Sequence, residues 1–435
     1  MVERSPTLLR GRLLWFTREP QARDDGSHHY IADGALVING AQIADIGGYL
    51  EVRQRHPDAT EIDHRPHLIM PGFIDTHLHF PQTQVIGSWG TQLLDWLNTY
   101  TFPEEGKYAD PAHCAVMAER FLDLLAAHGT TTAVAYCSAH RCSADALFAA
   151  AANRRMAMIA GKVMMDRNAP ASVLDTAQSG YDDSKAIIEA WHGKGRNRVA
   201  VTPRFAITST PAQLEAAGAL LGEYPDCYMQ THLSENDAEI VYTAELYPEA
   251  KDYLDVYEQR GLLGHKSLFG HAIHLTAREV AAMADTGSVA VFCPTSNLFL
   301  GSGLYDEAGL HQAGVRRAIA TDIGGGTNYS LLRTLDEGYK VLQLRGQNLH
   351  PLKSFYWITL GNARALSLEP EIGTLETGTA ADLVVLDAAA TPAMANRMET
   401  IETLAEELFL LQTLGDDRSI AATYIAGTRQ APATP

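Results

Sequence analysis

Apolar, β-rich runs alternate with helix-like segments through the middle of the chain. The run Pro71-Gly72-Phe73-Ile74-Asp75-Thr76-His77-Leu78-His79 opens the series, and further strands are predicted at 130–136, 156–165, 199–207, 227–233, 267–273, 288–293 and 318–323. Helical patterns lie between them. Over 111–127 apolar residues recur every three or four positions, and 210–221 reads the same way. Eight strands separated by helices predict an α/β fold, a (β/α)8 barrel of the TIM type, with catalytic groups at the C-terminal strand ends.

The flanks have another rhythm. Residues 8–69 hold short alternating runs, at 35–38 and 42–46, punctuated by Gly34, Gly40, Gly47 and Gly48. The segments 373–387 and 421–427 near the other end are similar. Two terminal β pieces around one barrel predict a composite β-sandwich from residues 1–69 and 369–435, with the barrel at 70–368. The chain shows neither an internal repeat nor a low-complexity segment.

Composition narrows the setting. At 435 residues, 46% hydrophobic and 20% charged, the chain has the make-up of a soluble globular protein. It has no uninterrupted apolar stretch of about 20 residues, and Glu3, Arg4, Arg10, Arg12 and Arg18 break up the first twenty positions. Neither a membrane partner nor a secretory signal is therefore expected. The five cysteines, Cys114, Cys137, Cys142, Cys227 and Cys293, form an odd set without paired short spacings, which points to a reducing cytoplasm. A net charge of -18 argues against a nucleic-acid partner, because that binding rests largely on clustered Lys and Arg.

Candidate chemistry collects at the predicted strand ends. His77 and His79 stand two apart on a strand, so their imidazoles project to one side. Arg204 lies near the end of the fourth strand, His232 closes the fifth, His271 the sixth and Asp322 the eighth. A catalytic zinc takes three or four such ligands and keeps one position open for water. His77, His79, His232 and Asp322 supply three neutral nitrogens and one carboxylate, and a zinc so held lowers the pKa of its water toward neutrality. His271 is then expected to orient the water, Asp322 to accept its proton, and Glu235 to shuttle a proton to the substrate ring and leaving group. A two-metal site needs a bridging ligand, often a carboxylated lysine, at the end of the fourth strand. Thr202-Pro203-Arg204-Phe205 occupies that position and Lys162 falls on the third strand, so one metal is expected. Iron would suit the same donors. There is no His-Glu-x-x-His, cytidine-deaminase-type zinc pattern, Gly-x-Ser-x-Gly elbow or Walker loop.

The Pro71–His79 run, with His232, His271 and Asp322 in order, resembles the amidohydrolase superfamily. Gly361-Asn-Ala-Arg-Ala-Leu366 and the run from Gly378 to Asp387 resemble its passage from barrel to β-sandwich. Within the superfamily the chain is similar to the guanine deaminase family, on Leu94-Asp-Trp96-Leu-Asn-Thr-Tyr-Thr-Phe-Pro-Glu-Glu105, Val201-Thr-Pro-Arg-Phe205, Thr231-His-Leu-Ser-Glu-Asn236, Cys293-Pro-Thr-Ser-Asn297 and Leu414-Gly-Asp-Asp-Arg418. The resemblance runs from about Ile69 to the C-terminal strands. It implies hydrolysis of guanine to xanthine and ammonia on one zinc, with His77, His79, His232 and Asp322 as ligands, Glu235 as proton shuttle and His271 beside the water. Gln82, Arg204 and Phe205 match base-recognition positions. Guanine O6 and N7 are acceptors that suit the donor-only Arg204, Gln82 can both donate and accept, and Phe205 can pack on the ring.

The aromatic segment 89–105, with Trp89 and Leu94 as candidate base contacts, reads either as barrel packing or as a lid. Glu402, Glu406 and Glu407 among Leu404, Leu408 and Leu411 mark the solvated face of a terminal helix, and the resemblance implies a homodimer. Two rivals stand beside guanine hydrolysis. One is a zinc hydrolase of another heterocycle, such as a pterin, an s-triazine or a modified adenosine. The other is a non-catalytic scaffold, which loss of Glu235 or of a ligand would favour; all of them are present.

Overall fold

In a computed structural model of the chain, the residues described are 6–21, 25–89 and 93–431; the Leu94 side chain lies outside the description. Strands β1 (Thr7–Phe16), β2 (His28–Asn39), β3 (Gln42–Gly48) and β4 (Thr60–Pro71) come from the N-terminal flank. The barrel strands are β5 (Phe73–His79), β6 (Thr130–Cys137), β7 (Ala157–Met164), β8 (Asn197–Pro203), β9 (Tyr228–Leu233), β10 (Ser267–His271), β11 (Val289–Phe292) and β12 (Arg316–Ile319). The C-terminal flank adds β13 (Leu383–Leu386), β14 (Ile420–Ile425) and β15 (Thr428–Arg429).

The eight central strands lie side by side in chain order, and every pairing between them is parallel. Closure comes from the segment after β12. Asp322 donates its backbone N–H to His77 O at 2.9 Å and His79 donates to Ile323 O, which joins the last strand to the first. The Asn362 side chain reinforces this seam from below: its Nδ2 donates to Ile74 O at 2.7 Å and Ile319 O at 2.8 Å, and its Oδ1 accepts from Ile319 N at 3.1 Å. That is the structural work of the Gly361–Leu366 motif. Ile74, Val134, Ile159, Tyr228 and Leu268 fill the lower barrel, where Leu366, Leu368 and Ile372 plug it. Each such aliphatic side chain contributes about 1.5–3 kcal/mol by leaving water.

Helices cover the outside. The helix Pro111–Ala127 has the predicted limits; the helix predicted at 210–221 runs Pro211–Glu223 behind Thr210, whose hydroxyl accepts from Gln213 N. The two flanks, expected to combine into a composite β-sandwich, contribute jointly to one mixed sheet built from both chain ends. Its strands form one hydrogen-bonded sheet of order β15-β14-β13-β4-β1-β2-β3, with β1 parallel to β4 and antiparallel to β2. Leu9, Leu13, Leu36, Ile69, Leu383 and Val385 make a dry layer on one face of it. β4 ends at Pro71 and β5 begins at Phe73, so the step from sheet to barrel is Gly72. A Cβ there would sit 2.2 Å from Thr131 Oγ1, so a side chain would not fit.

Candidate active site

A bulge at the end of β5 aims the first two histidines. Ile74 faces the barrel interior opposite Thr132, but the three steps from Asp75 to Leu78 oppose only two on β6, from Ala133 to Ala135. The extra residue reverses the alternation, turning His77 and His79 inward and Leu78 outward into the layer beneath the helices. The other groups arrive differently. His232 follows Tyr228 at even spacing on β9 and needs no correction. His271 and Asp322 stand in the left-handed region, at φ 68° and 53°, where the strands break and their side chains swing over the axis. Gly270 lets His77 lie flat against β10, since a Cβ there would come within 2.4 Å of the ring.

These residues form one buried cluster. Asp322 Oδ1 lies 3.4 Å from both His77 Nε2 and His79 Nε2, and His79 Nε2 is 3.2 Å from His232 Nε2. His232 Nδ1 is 2.7 Å from Arg204 O, a carbonyl that only accepts, so Nδ1 keeps its proton and Nε2 offers a lone pair. His77 Nε2 is buried without a hydrogen-bond partner among the described residues. Two ligands held 2.0–2.1 Å from a tetrahedral ion lie about 3.3 Å apart. The observed 3.2 and 3.4 Å, the facing nitrogen lone pairs and the orphaned His77 Nε2 therefore fit a small divalent cation held by His77, His79, His232 and Asp322.

The protonation states agree with this. Burial pushes His77 down, His79 to about 4 and His232 well down, so the rings are neutral donors. Burial opposes ionisation of Asp322, but the close approach of the His77 and His79 rings wins and holds it well below the usual carboxylate range. Glu235 goes the other way: burial, then the charge of Asp322, raises it to about 8. Two carboxyls so close and so differently poised are the signature of an acid–base pair. Asp75, which receives the Thr321 N–H and hydroxyl and anchors the loop carrying Asp322, is raised to about 6 by burial.

His271 bridges the two carboxyls. Its Nε2 is 3.4 Å from Glu235 Oε2 and 3.7 Å from Asp322 Oδ2, while Nδ1 meets Asn297 Oδ1 at 2.8 Å. Ser302 Oγ donates to Glu235 Oε1 at 3.2 Å. Above the cluster opens a cavity lined by Gln82, Arg204, Phe205, Leu93, Trp96, Leu97 and Leu300. Gln82, Arg204 and Phe205 thus share one cavity with all the acid–base candidates and three of the four ligand candidates. Trp89 does not line it. Its side chain is 76% exposed, and Trp96, whose indole donates to Ser88 O at 3.2 Å, supplies the aromatic wall instead. The helical turn Leu93–Trp96 decides which aromatic turns inward, which composition does not reveal. Leu94 lies in this turn, with its side chain outside the description.

Sequence reasoning missed Asn297, Ser302 and Glu105 as site residues, although Asn297 and Glu105 lie in the quoted motifs. Lys162 takes no part. Ile159 faces the barrel axis, so Lys162, three residues on, faces outward, where its ammonium meets Asp175 Oδ2 at 2.5 Å. A bridging lysine for a second metal is therefore unavailable from this strand.

Residues 68–429 match the model of the amidohydrolase family. The chain is 47% identical to the guanine deaminase of Escherichia coli over 399 residues, 92% of this chain and 91% of that one. The solved E. coli guanine deaminase superposes with a TM-score of 0.95 at 44% identity, covering 98% of this chain and 99% of that one. A guanine deaminase from C. acetobutylicum with guanine bound in its active site superposes at 0.86 with 27% identity, covering 98% of this chain and all of that one. The chain belongs to the amidohydrolase family and, within it, to the guanine deaminases.

Proposed function

We propose that this chain hydrolyses guanine to xanthine and ammonia, with zinc as the metal. The observation that carries the proposal is a single buried cavity in which the oppositely poised Glu235 and Asp322 face the donors of Arg204 and Gln82. A zinc ion held by His77, His79, His232 and Asp322 supplies the Lewis acidity that makes a water nucleophilic near neutral pH.

The chain's own residues do the rest. Arg204 donates to the guanine acceptors O6 and N7, Gln82 pairs with a ring edge, and Phe205 packs against the ring. With Oδ1 turned to His77 and His79, Asp322 keeps Oδ2 toward His271, free to take a proton from the attacking water as its oxygen bonds to C2. His271 Nε2 lies between Asp322 Oδ2 and Glu235 Oε2, where it can orient that water. Glu235, mostly protonated at neutral pH, gives its proton to the ring, then takes the proton of the newly bonded hydroxyl and hands it to the amino group, which leaves as ammonia when the C2–N bond breaks; the proton on Asp322 then returns to Glu235. One water is consumed, and its oxygen becomes the 2-oxo group of xanthine.

The setting belongs to the same proposal: a cytoplasmic homodimer acting on the free base, with no nucleic-acid or membrane partner. Five free cysteines, a net charge of -18 and, among the described residues, no helix long and apolar enough to cross a membrane support it. So do Leu344 and Leu414, 69% and 45% exposed, as apolar residues available to a second subunit. The test is metal content and guanine turnover in wild type and Asp322→Asn. Wild type should hold one metal per chain and form xanthine, and the variant should lose both. A variant that keeps full activity would remove Asp322 from the site.

A further inference from the structure

Resting on that reading, we propose that Glu105 is a positioning residue: its buried carboxylate fixes the hydrogen-bonding faces of Arg204 and Gln82, so the cavity selects an oxo group rather than an amino group on the ring edge facing them. Glu105 closes the short helix Phe102–Glu105 and is 1% exposed. Both its oxygens accept from Arg204 Nη1, at 2.8 and 2.7 Å, and Oε1 also accepts from Gln82 Nε2 at 3.0 Å. Phe102, one turn earlier, lies beneath the guanidinium, 5.4 Å from ring centroid to Cζ. The turn thus grips Arg204 by edge and by face.

Two consequences follow for recognition. Only one of the three guanidinium nitrogens is used, so Nε and Nη2 stay available to a ligand among the described residues. The Gln82 amide is also assigned without ambiguity. A carboxylate only accepts, so the end toward Glu105 is the NH2; the other end accepts from Gly324 N–H at 3.1 Å, which only donates, so it is the oxygen. Gln82 keeps one N–H and one lone pair for the base. An amino group in place of guanine O6 would meet fixed donors with a donor, leaving buried groups unpaired.

The same arginine couples recognition to the ligand cluster. Its carbonyl accepts from His232 Nδ1 and from His232 N, at 2.7 and 3.2 Å, so a guanidinium anchored by Glu105 steadies the backbone that orients His232. Glu105 touches no member of that cluster, and its removal should act on binding first.

The experiment compares metal-quantified wild type, Glu105→Gln, Glu105→Asp, Gln82→Ala and the Glu105→Gln/Gln82→Ala double variant on guanine and 2,6-diaminopurine. Glu105→Gln should raise KM for guanine about tenfold or more. Its kcat should change much less, and the preference for guanine over 2,6-diaminopurine should fall. Glu105→Asp, which keeps the charge, should fall between, and reads the same split if the amide variant fails to fold. The double variant should lose less than the product of the single losses, since part of the Glu105 effect runs through the Gln82 amide. Folded variants with unchanged KM and preference, or multiplying losses, would overturn the proposal alone. Metal-loaded wild type inactive on guanine would overturn the functional reading and this proposal with it.

Discussion

Replacing Glu235 with glutamine should make the protein a poorer catalyst and a more stable fold at once. The carboxyl is buried and its pKa is raised from an ordinary 4.5 to about 8. An acid whose folded pKa is raised costs no stability below its unfolded pKa; the cost grows across pH 4.5–8 and is constant above. At pH 7 the difference is about 2.5 units at 1.36 kcal/mol each, or roughly 3 kcal/mol against folding. Glutamine removes that cost and keeps an oxygen for the Ser302 hydroxyl. For 435 residues, at about 2.1 cal/mol/K each, 3 kcal/mol corresponds to about 3–4 °C. Thermal unfolding of chelator-stripped protein, where no cation offsets the burial, should show Glu235→Gln more stable at pH 7–8 and equal to wild type near pH 4. Metal-loaded Glu235→Gln should turn over guanine at least about 100-fold more slowly, with KM little changed, because it can neither give nor take a proton. Near-normal turnover, or a variant less stable than wild type at pH 7, would refute the reasoning.

Two further outcomes follow from placement. Lys162→Met leaves Asp175 a buried carboxylate held only by Gln213 Nε2 and Met165 N, and should cost about 3–5 kcal/mol by thermal or urea unfolding while metal content stays at one per chain. Trp96→Ala should raise KM for guanine at least several-fold, whereas Trp89→Ala should leave KM unchanged; the reverse pattern in steady-state kinetics would mean that the exposed tryptophan closes over the base.

Strand number, strand order and the polar residues that gather at the strand ends were legible because each rests on a local regularity: alternation for the strands, and polar residues at their ends for the candidate chemistry. Strand ends were less so. The expected 267–273 stops at His271, where His271 and Ala272 take positive φ, and the expected 318–323 is regular strand only to Ile319, beyond which Asp322, also at positive φ, bonds across to His77 O. The β5 bulge was also invisible. His77 and His79 share a face with or without it, but which face depends on register against β6. Glu105 escaped for another reason: its partners lie 23 and 99 positions away, and no local pattern distinguishes it from Glu104, which pairs with Lys107 nearby. The choice of Trp96 over Trp89 likewise depends on how one helical turn docks.

The most direct test is ammonia release, with parallel ultraviolet detection of xanthine, when metal-quantified protein is given guanine beside adenine, cytosine, a pterin and an s-triazine. Strong preference for guanine at one zinc per chain, lost on chelation and restored by zinc, is the predicted result. Metal-loaded protein that ignores guanine and deaminates another ring would contradict it.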